Sequence, residues 1–161
     1  MSTYSGGDMI VNLTSLPEAP RLEEGIRIKR AFLGDKETIL KFVDDNFDSN
    51  WRPEVEKSLM LQPTACFIAT ENGRLLGFAC YDVSALGFFG PTGVMESERG
   101  RHIGAALLIR TLTAMADAGY GYAIIGWVYG AAGFYGKFVN ASFIPGGEPE
   151  NSVYSNMISM K

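Results

Sequence analysis

Alternation of apolar and charged positions in GIRIKRAF (25–32) has the two-residue period of a half-buried strand. The period then changes. Ile39, Leu40, Phe42 and Val43 fall on one stripe of a helix that Asp35 is placed to cap, and Pro53 suits the first turn of a second helix through Leu61. ACFIATENGRLLGFACYD (65–82) predicts two strands around Asn72-Gly73, the preferred centre of a two-residue hairpin. A further strand at about 87–95 precedes a helix that buries Leu107, Leu108, Leu112 and Met115 and stops at Gly119. AIIGWV (123–128) is a buried strand, and GAAGFYGKFV (130–139) is a short helix with Asn140 at its C-terminal end. ASFIP (141–145) and SVYSNMIS (152–159) complete the pattern as a strand pair around the turn-like PGGEPE. The sequence contains no internal repeat or low-complexity tract.

Residues 1–25, with Pro17, Pro20 and a Gly-Gly pair, predict an N-terminal arm or leader, in which MIVNL (9–13) has the composition of an edge strand. The domain proper then spans 26–161. A length of 161 residues, 47% hydrophobic and 20% charged, suits one globular domain with a proper core. A net charge of −4 argues against a nucleic-acid surface, which needs clustered Lys and Arg, so any anion site is local. No apolar run reaches the roughly 18–20 residues that span a bilayer, and MSTYSGGD lacks the basic and apolar regions of a secretory signal. A cytoplasmic protein with no membrane partner is expected.

The hairpin register bears on the two cysteines. Pairing Glu71 with Arg74 sets Cys66 opposite Ala79 and Cys80 opposite Ala65, so the sulfurs point to opposite faces and stay free thiols. Neither has a CxxC partner or a nearby histidine, which favours buried structural thiols over nucleophiles or metal ligands.

The chemistry-bearing stretch is RGRHIGAALL (99–108). A helix start leaves backbone N–H groups unpaired and carries partial positive charge. Gly100 and Gly104 allow close backbone approach, Arg99 and Arg101 add charge, and the natural guest is a phosphate or pyrophosphate. A nucleotide triphosphate site is the weaker reading, because no GK[ST] is present to hold phosphate and magnesium.

Two separated motifs, Arg99, His102 and Gly104 in RGRHIGAALL and Ala131, Phe134, Tyr135 and Lys137 in AAGFYGK, with a strand between them, resemble the GNAT superfamily of acyl-CoA N-acyltransferases. The resemblance covers about residues 26–145. It implies an α/β (α+β) fold: a central mixed, mostly antiparallel twisted sheet with helices on both faces, splayed at the domain's fourth and fifth strands. It also implies acetyl-CoA as co-substrate, with a small-molecule or peptide amine as acceptor. No metal is implied, and a homodimer is left open.

Under that resemblance the amides of about Arg101, His102, Ile103, Gly104 and Ala105, flanked by Arg99 and Gly100, face the pyrophosphate. Val94 and Met95 pair with the pantetheine amides as an added strand would. His102 stands where the family usually has glycine, so this position is expected not to need a positive φ. The lone histidine would then lie by the phosphates, as filler or an extra donor, and not at the thioester. Tyr135 is implied as the acid that protonates the departing thiolate, against a plain packing role beside Phe134; Phe134 is packing or pantetheine wall.

The general base is less legible. GFFGPTGVM (87–95) carries no carboxylate or histidine, leaving Asp82, equally suited to a turn, or a water relay. Glu96 and Glu98 are expected to be solvated or paired with Arg99. GPTG (90–93) suggests a bulge or splayed edge that opens the gap for coenzyme A, or a simple bend. Asp44, Asp45, Asp48 and Trp51 are candidates for an acceptor pocket, although capping and solvated roles suit the aspartates better. A non-catalytic acyl-CoA-binding module of the same fold is the alternative function.

Overall fold

The computed structural model of the chain describes residues 6–158. In chain order its elements are β1 (Gly6–Asn12), β2 (Ile26–Arg30), α1 (Lys36–Asn46), α2 (Arg52–Met60), β3 (Cys66–Glu71), β4 (Arg74–Tyr81), β5 (Phe88–Val94), α3 (Ile103–Asp117), β6 (Tyr122–Tyr129), α4 (Ala132–Val139) and β7 (Ser142–Phe143). The strands form one sheet in the order β2-β3-β4-β5-β6-β1-β7. Every pairing is antiparallel except β5 with β6.

The alternation of strand side chains divides the core in two. On one face Leu107, Leu108, Leu112 and Met115 of α3 pack with Tyr135 and Val139 of α4 against Phe67, Leu76, Phe89 and Ile125. On the other, Ile39, Leu40 and Val43 of α1 and Val55 and Leu59 of α2 cover Ile68, Phe78 and Cys80. Helices thus lie on both faces, as the resemblance implied.

The structure corrects the sequence reading in three places. First, Gly6–Asn12 is no edge strand: β1 lies between β6 and β7, with Met9 opposite both Ile125 and Phe143. Residues 1–5 of the expected arm lie outside the described residues. Secondly, Glu71 does pair with Arg74, but a bulge at Leu76 shifts the register between Ala69 and Thr70. One extra residue flips every later position. Cys66 therefore faces Cys80 directly, both buried on the α1/α2 side, and both are free thiols. Burial raises the Cys80 thiol well above its ordinary value, so it is an inert packing group. Thirdly, SVYSNMIS forms no strand up to residue 158; Val153–Asn156 is a 3-10 turn and residue 159 lies outside the described residues.

Among the described residues no helix is long and apolar enough to cross a membrane.

Candidate functional site

The site follows from how β5 leaves its neighbour. β5 pairs with β6 at only two positions, Phe88 with Ile124 and Phe89 with Ile125, before the strands part. Both strands are irregular there. Gly90 has φ +114° and a cis bond to Pro91, and Gly90-Pro91 bulges opposite Cys80 on the β4 side. On β6, Gly126 and Trp127 together oppose the single residue Asp8 of β1, and Trp127 takes φ +54°. Such bulges bend and twist a strand. GPTG is thus a bulge, and the sheet opens where the domain's fourth and fifth strands, here β5 and β6, separate.

Asp8 makes the β6 bulge tenable. It is 5% exposed, and its Oδ1 accepts the Trp127 N–H at 2.9 Å and the Ser152 hydroxyl at 2.8 Å. Its Oδ2 accepts the Val153 N–H at 3.3 Å. A buried amide left unpaired by a bulge is costly, and this carboxylate removes the cost while tying the C-terminal turn to the splayed strand. The sequence reading missed Asp8 by placing it in the arm; a charge directly before the apolar run MIVNL was the available signal.

The predicted anion loop stands at the mouth of the gap. Among the described residues no side chain caps α3, and within it the helical bonding begins with Ala106 donating to His102, so the amides of Ile103, Gly104 and Ala105 have no helical partners. A Cβ at Gly104 would lie 3.7 Å from Phe134 and from Val94 Cγ2, so the glycine borders the wall between α4 and β5. Gly100 has φ +88°. His102 corrects the expectation: its φ is +66° and ψ 10°, left-handed. Histidine is among the side chains that tolerate this region, which lets it replace glycine at the turn into α3. Its side chain is exposed.

The arginines divide. Arg99 is exposed, its Nε 3.4 Å from the Val94 carbonyl. Arg101 does not offer free charge: its guanidinium meets Glu98 at 2.6 Å, Glu23 at 2.6 Å and Glu71 at 2.7 Å. Glu98 also meets Arg74 at 2.6 Å, not Arg99 as expected. These contacts hold the Glu71 carboxyl, through Arg101, and the Glu98 carboxyl, through Arg74 and then Arg101, below the usual carboxylate range. The network anchors the loop to the end of β3, so the Arg101 guanidinium is committed to carboxylates. The Met95 N–H bonds to the Leu76 carbonyl and Val94 pairs with Gly77, so one edge of this strand end is committed to β4.

Tyr135 is 7% exposed, with its ring edge-on to Phe89 at 6.2 Å and to Phe134 at 5.2 Å between centroids. Burial pushes its phenol pKa up to about 12. It holds its proton throughout the neutral range and stands beside the last β5 residue paired with β6. Asp82, the candidate base, serves the turn: with φ +60° it accepts the Gly87 N–H at 2.8 Å, and the Tyr120 hydroxyl lies beside it. The acceptor candidates have local partners as well. Asp44 pairs with Arg52, Asp45 with Lys41 at 2.7 Å, and Asp48 accepts the Asn50 N–H at 2.9 Å. Trp51 stacks on Phe47 at 5.5 Å, and a Cβ at Gly93 would lie 2.5 Å from that Phe47 ring. A separate cleft lined by Lys29, Asp35, Thr38 and Thr70 lies on the β2/β3 side, away from the gap.

This mixed sheet, with its one parallel pair splaying over a helix N-terminus, is the fold that the resemblance implied. The description "Acetyltransferase (GNAT) family" matches residues 32–139, and the chain belongs to this family. Its fold is similar to that of a GCN5-related N-acetyltransferase from Sphaerobacter thermophilus, with 20% identity and TM-score 0.68 over 87% of this chain and 49% of that one. It is also similar to a GCN5-related N-acetyltransferase from Kribbella flavida, with 16% identity and TM-score 0.62 over 83% and 52%. A third likeness is to a fungal GH3 β-N-acetylglucosaminidase with a glucosamine N-acetyltransferase region, with 18% identity and TM-score 0.68 over 85% and 19%. The chain thus spans about half the length of the two bacterial proteins and a fifth of the fungal one. No curated protein matches it.

Proposed function

We propose that this chain is an N-acetyltransferase that moves an acetyl group from acetyl-CoA to a primary amine by direct attack in a ternary complex. The observation that carries this reading is the β5–β6 splay, bordered by the uncapped start of α3 on one side and buried Tyr135 on the other. The residues fit the co-substrate. Ile103, Gly104 and Ala105 offer backbone donors to a pyrophosphate, with Arg99, Gly100, Arg101 and His102 shaping the turn before them. Val94 and Met95 flank the pantetheine arm, and Phe134 is its apolar wall.

Two proton movements are needed: the attacking nitrogen must lose one and the departing sulfur must gain one. Tyr135 supplies the second. Burial keeps this phenol protonated and available to hydrogen-bond to the sulfur as negative charge develops there. Because its pKa lies above the about 8.5 of a thiol, its contribution is to stabilise the departing sulfur in the transition state, the proton passing as the C–S bond breaks. Asp82 is used in its turn and is not assigned as the base. The acceptor is a small-molecule or peptide amine, and a cytoplasmic setting suits acetyl-CoA supply.

The test is thiol release by the purified protein with acetyl-CoA against a panel of polyamines, amino sugars and peptide N-termini. Amine-dependent release of coenzyme A is expected. Acetyl-CoA should also raise Tm, as a ligand of the native state does. Acetyl-CoA binding without release with any amine would instead favour the non-catalytic binding module.

A further inference from the structure

Tyr135 serves one face of the splay, and a second tyrosine lies at the same point on the other. Phe88 and Ile124 alternate with Phe89 and Ile125, which belong to the α3/α4 core, so they face the α1/α2 side. There Tyr154, in the 3-10 turn Val153–Asn156, lies 6.1 Å from Phe88 and 6.2 Å from Trp127 between ring centroids. Gly126 admits the ring: a Cβ there would lie 2.1 Å from Tyr154 Cε2. The turn is pinned by Ser152 and Val153 to buried Asp8. Beside the Tyr154 hydroxyl is that of Ser84, from the β4–β5 loop, which donates to the Glu54 carboxylate of α2. Three sequence-distant elements thereby line up a phenol, an alcohol and a carboxylate at the splay.

We infer that Tyr154, Ser84 and Glu54 form the acceptor-side proton path of the transfer, with Tyr154 as the catalytic residue that touches the amine and Glu54 as the terminal proton acceptor acting through Ser84. The inference rests on the transferase reading. As the N–C bond forms and the C–S bond breaks, the amine proton passes to the Tyr154 oxygen, the Tyr154 proton to Ser84 and the Ser84 proton to Glu54. The sulfur takes the Tyr135 proton, and solvent returns the proton held by Glu54 to Tyr135. The products are an amide and a free thiol. The negative charge thus passes from Glu54 on one face to Tyr135 on the other until solvent restores both, and the only external reactants are the amine and acetyl-CoA.

Hydroxylamine, a small amine that needs no acceptor pocket, is the probe, with acetyl-CoA saturating and coenzyme A release as the readout. Tyr154→Phe keeps the ring but removes the hydroxyl, and Glu54→Gln still accepts from Ser84 but takes no proton. Both should lower kcat by roughly 10²-fold while acetyl-CoA Kd stays within about twofold. Ser84→Ala, on an exposed loop, should do the same at unchanged Tm and covers the case in which Tyr154→Phe folds poorly. A purely structural role predicts full activity for Glu54→Gln. Retention of kcat in Glu54→Gln and Ser84→Ala overturns the proton path alone, and so does a rise in Tyr154→Phe, which would make the turn a plug. A wild-type protein that binds acetyl-CoA but releases none overturns the transferase reading, and the path with it.

Discussion

The two halves of the sheet are held by different means. β2, β3, β4 and β5 follow one another in the chain: α1 and α2 connect β2 to β3, an Asn-Gly turn joins β3 to β4 and an Asp82 turn joins β4 to β5, with a surface ion-pair network at one end. β6, β1 and β7 instead bring Met9 against Ile125 and Phe143, and their irregular strand depends on one buried carboxylate. Local turn chemistry and alternation specify most of the first half, apart from the bulge at Leu76. The second needs a polar group from far along the chain to satisfy a bulge, and the splay lies on the seam between them.

The largest expected effect breaks the second half. Asp8→Ala leaves the Trp127 and Val153 amides and the Ser152 hydroxyl without their partner, and should cost about 3 kcal/mol or more in urea unfolding. Glu71→Gln, in the exposed network of the first half, should leave the midpoint at pH 7 nearly unchanged. Equal losses would erase the contrast.

At the seam, Tyr135→Phe should lower kcat by roughly 10²-fold or more with acetyl-CoA Kd within a few-fold, because the donor acts in the transition state. Unchanged kcat with chemistry rate-limiting would leave leaving-group protonation to solvent. The same residue has an alkaline signature. Its raised pKa means its stabilisation is fully present below about 10, the unfolded value, and is lost as pH rises toward about 12, where the unfolded phenol ionises first. Wild type should lose about 2–3 kcal/mol across that window relative to Tyr135→Phe in pH-dependent unfolding.

At the mouth of the gap, His102→Val should cost about 1–2 kcal/mol, since a β-branched residue resists a left-handed φ, whereas His102→Gly should melt close to wild type. Gly104→Asp places negative charge at the start of α3 and should abolish the acetyl-CoA-induced rise in Tm while the fold persists. The smallest effect sharpens the first half. Glu71 and Glu98 are held below their ordinary pKa, so their contribution is complete above about 4.5 and fades as pH falls further. Arg101→Gln should flatten that acid limb in a Tm-against-pH series.

The alternation of GIRIKRAF, the Asn72-Gly73 turn, the α3 stripe and the left-handed Asn140 cap were legible because each depends on residues close in the chain. The position of the glycine loop at the start of α3 and of Tyr135 on α4 was legible for the same reason: a motif carries its own spacing. The Leu76 bulge was not, since Leu75 and Leu76 fit either register and packing on both faces chose between them. The place of β1 was hidden because a strand buried between two partners far along the chain has no local signal beyond its apolar run. Asp82 and Arg101 show the converse: the sequence by itself determined residue types suited to catalysis and phosphate binding, but the tertiary structure decided which charges were spent on a turn and on neighbouring carboxylates. Side-chain hydrogen bonds reach only a few ångströms, and only folding brings Asp8 to Trp127 or Ser84 to Glu54 within that range.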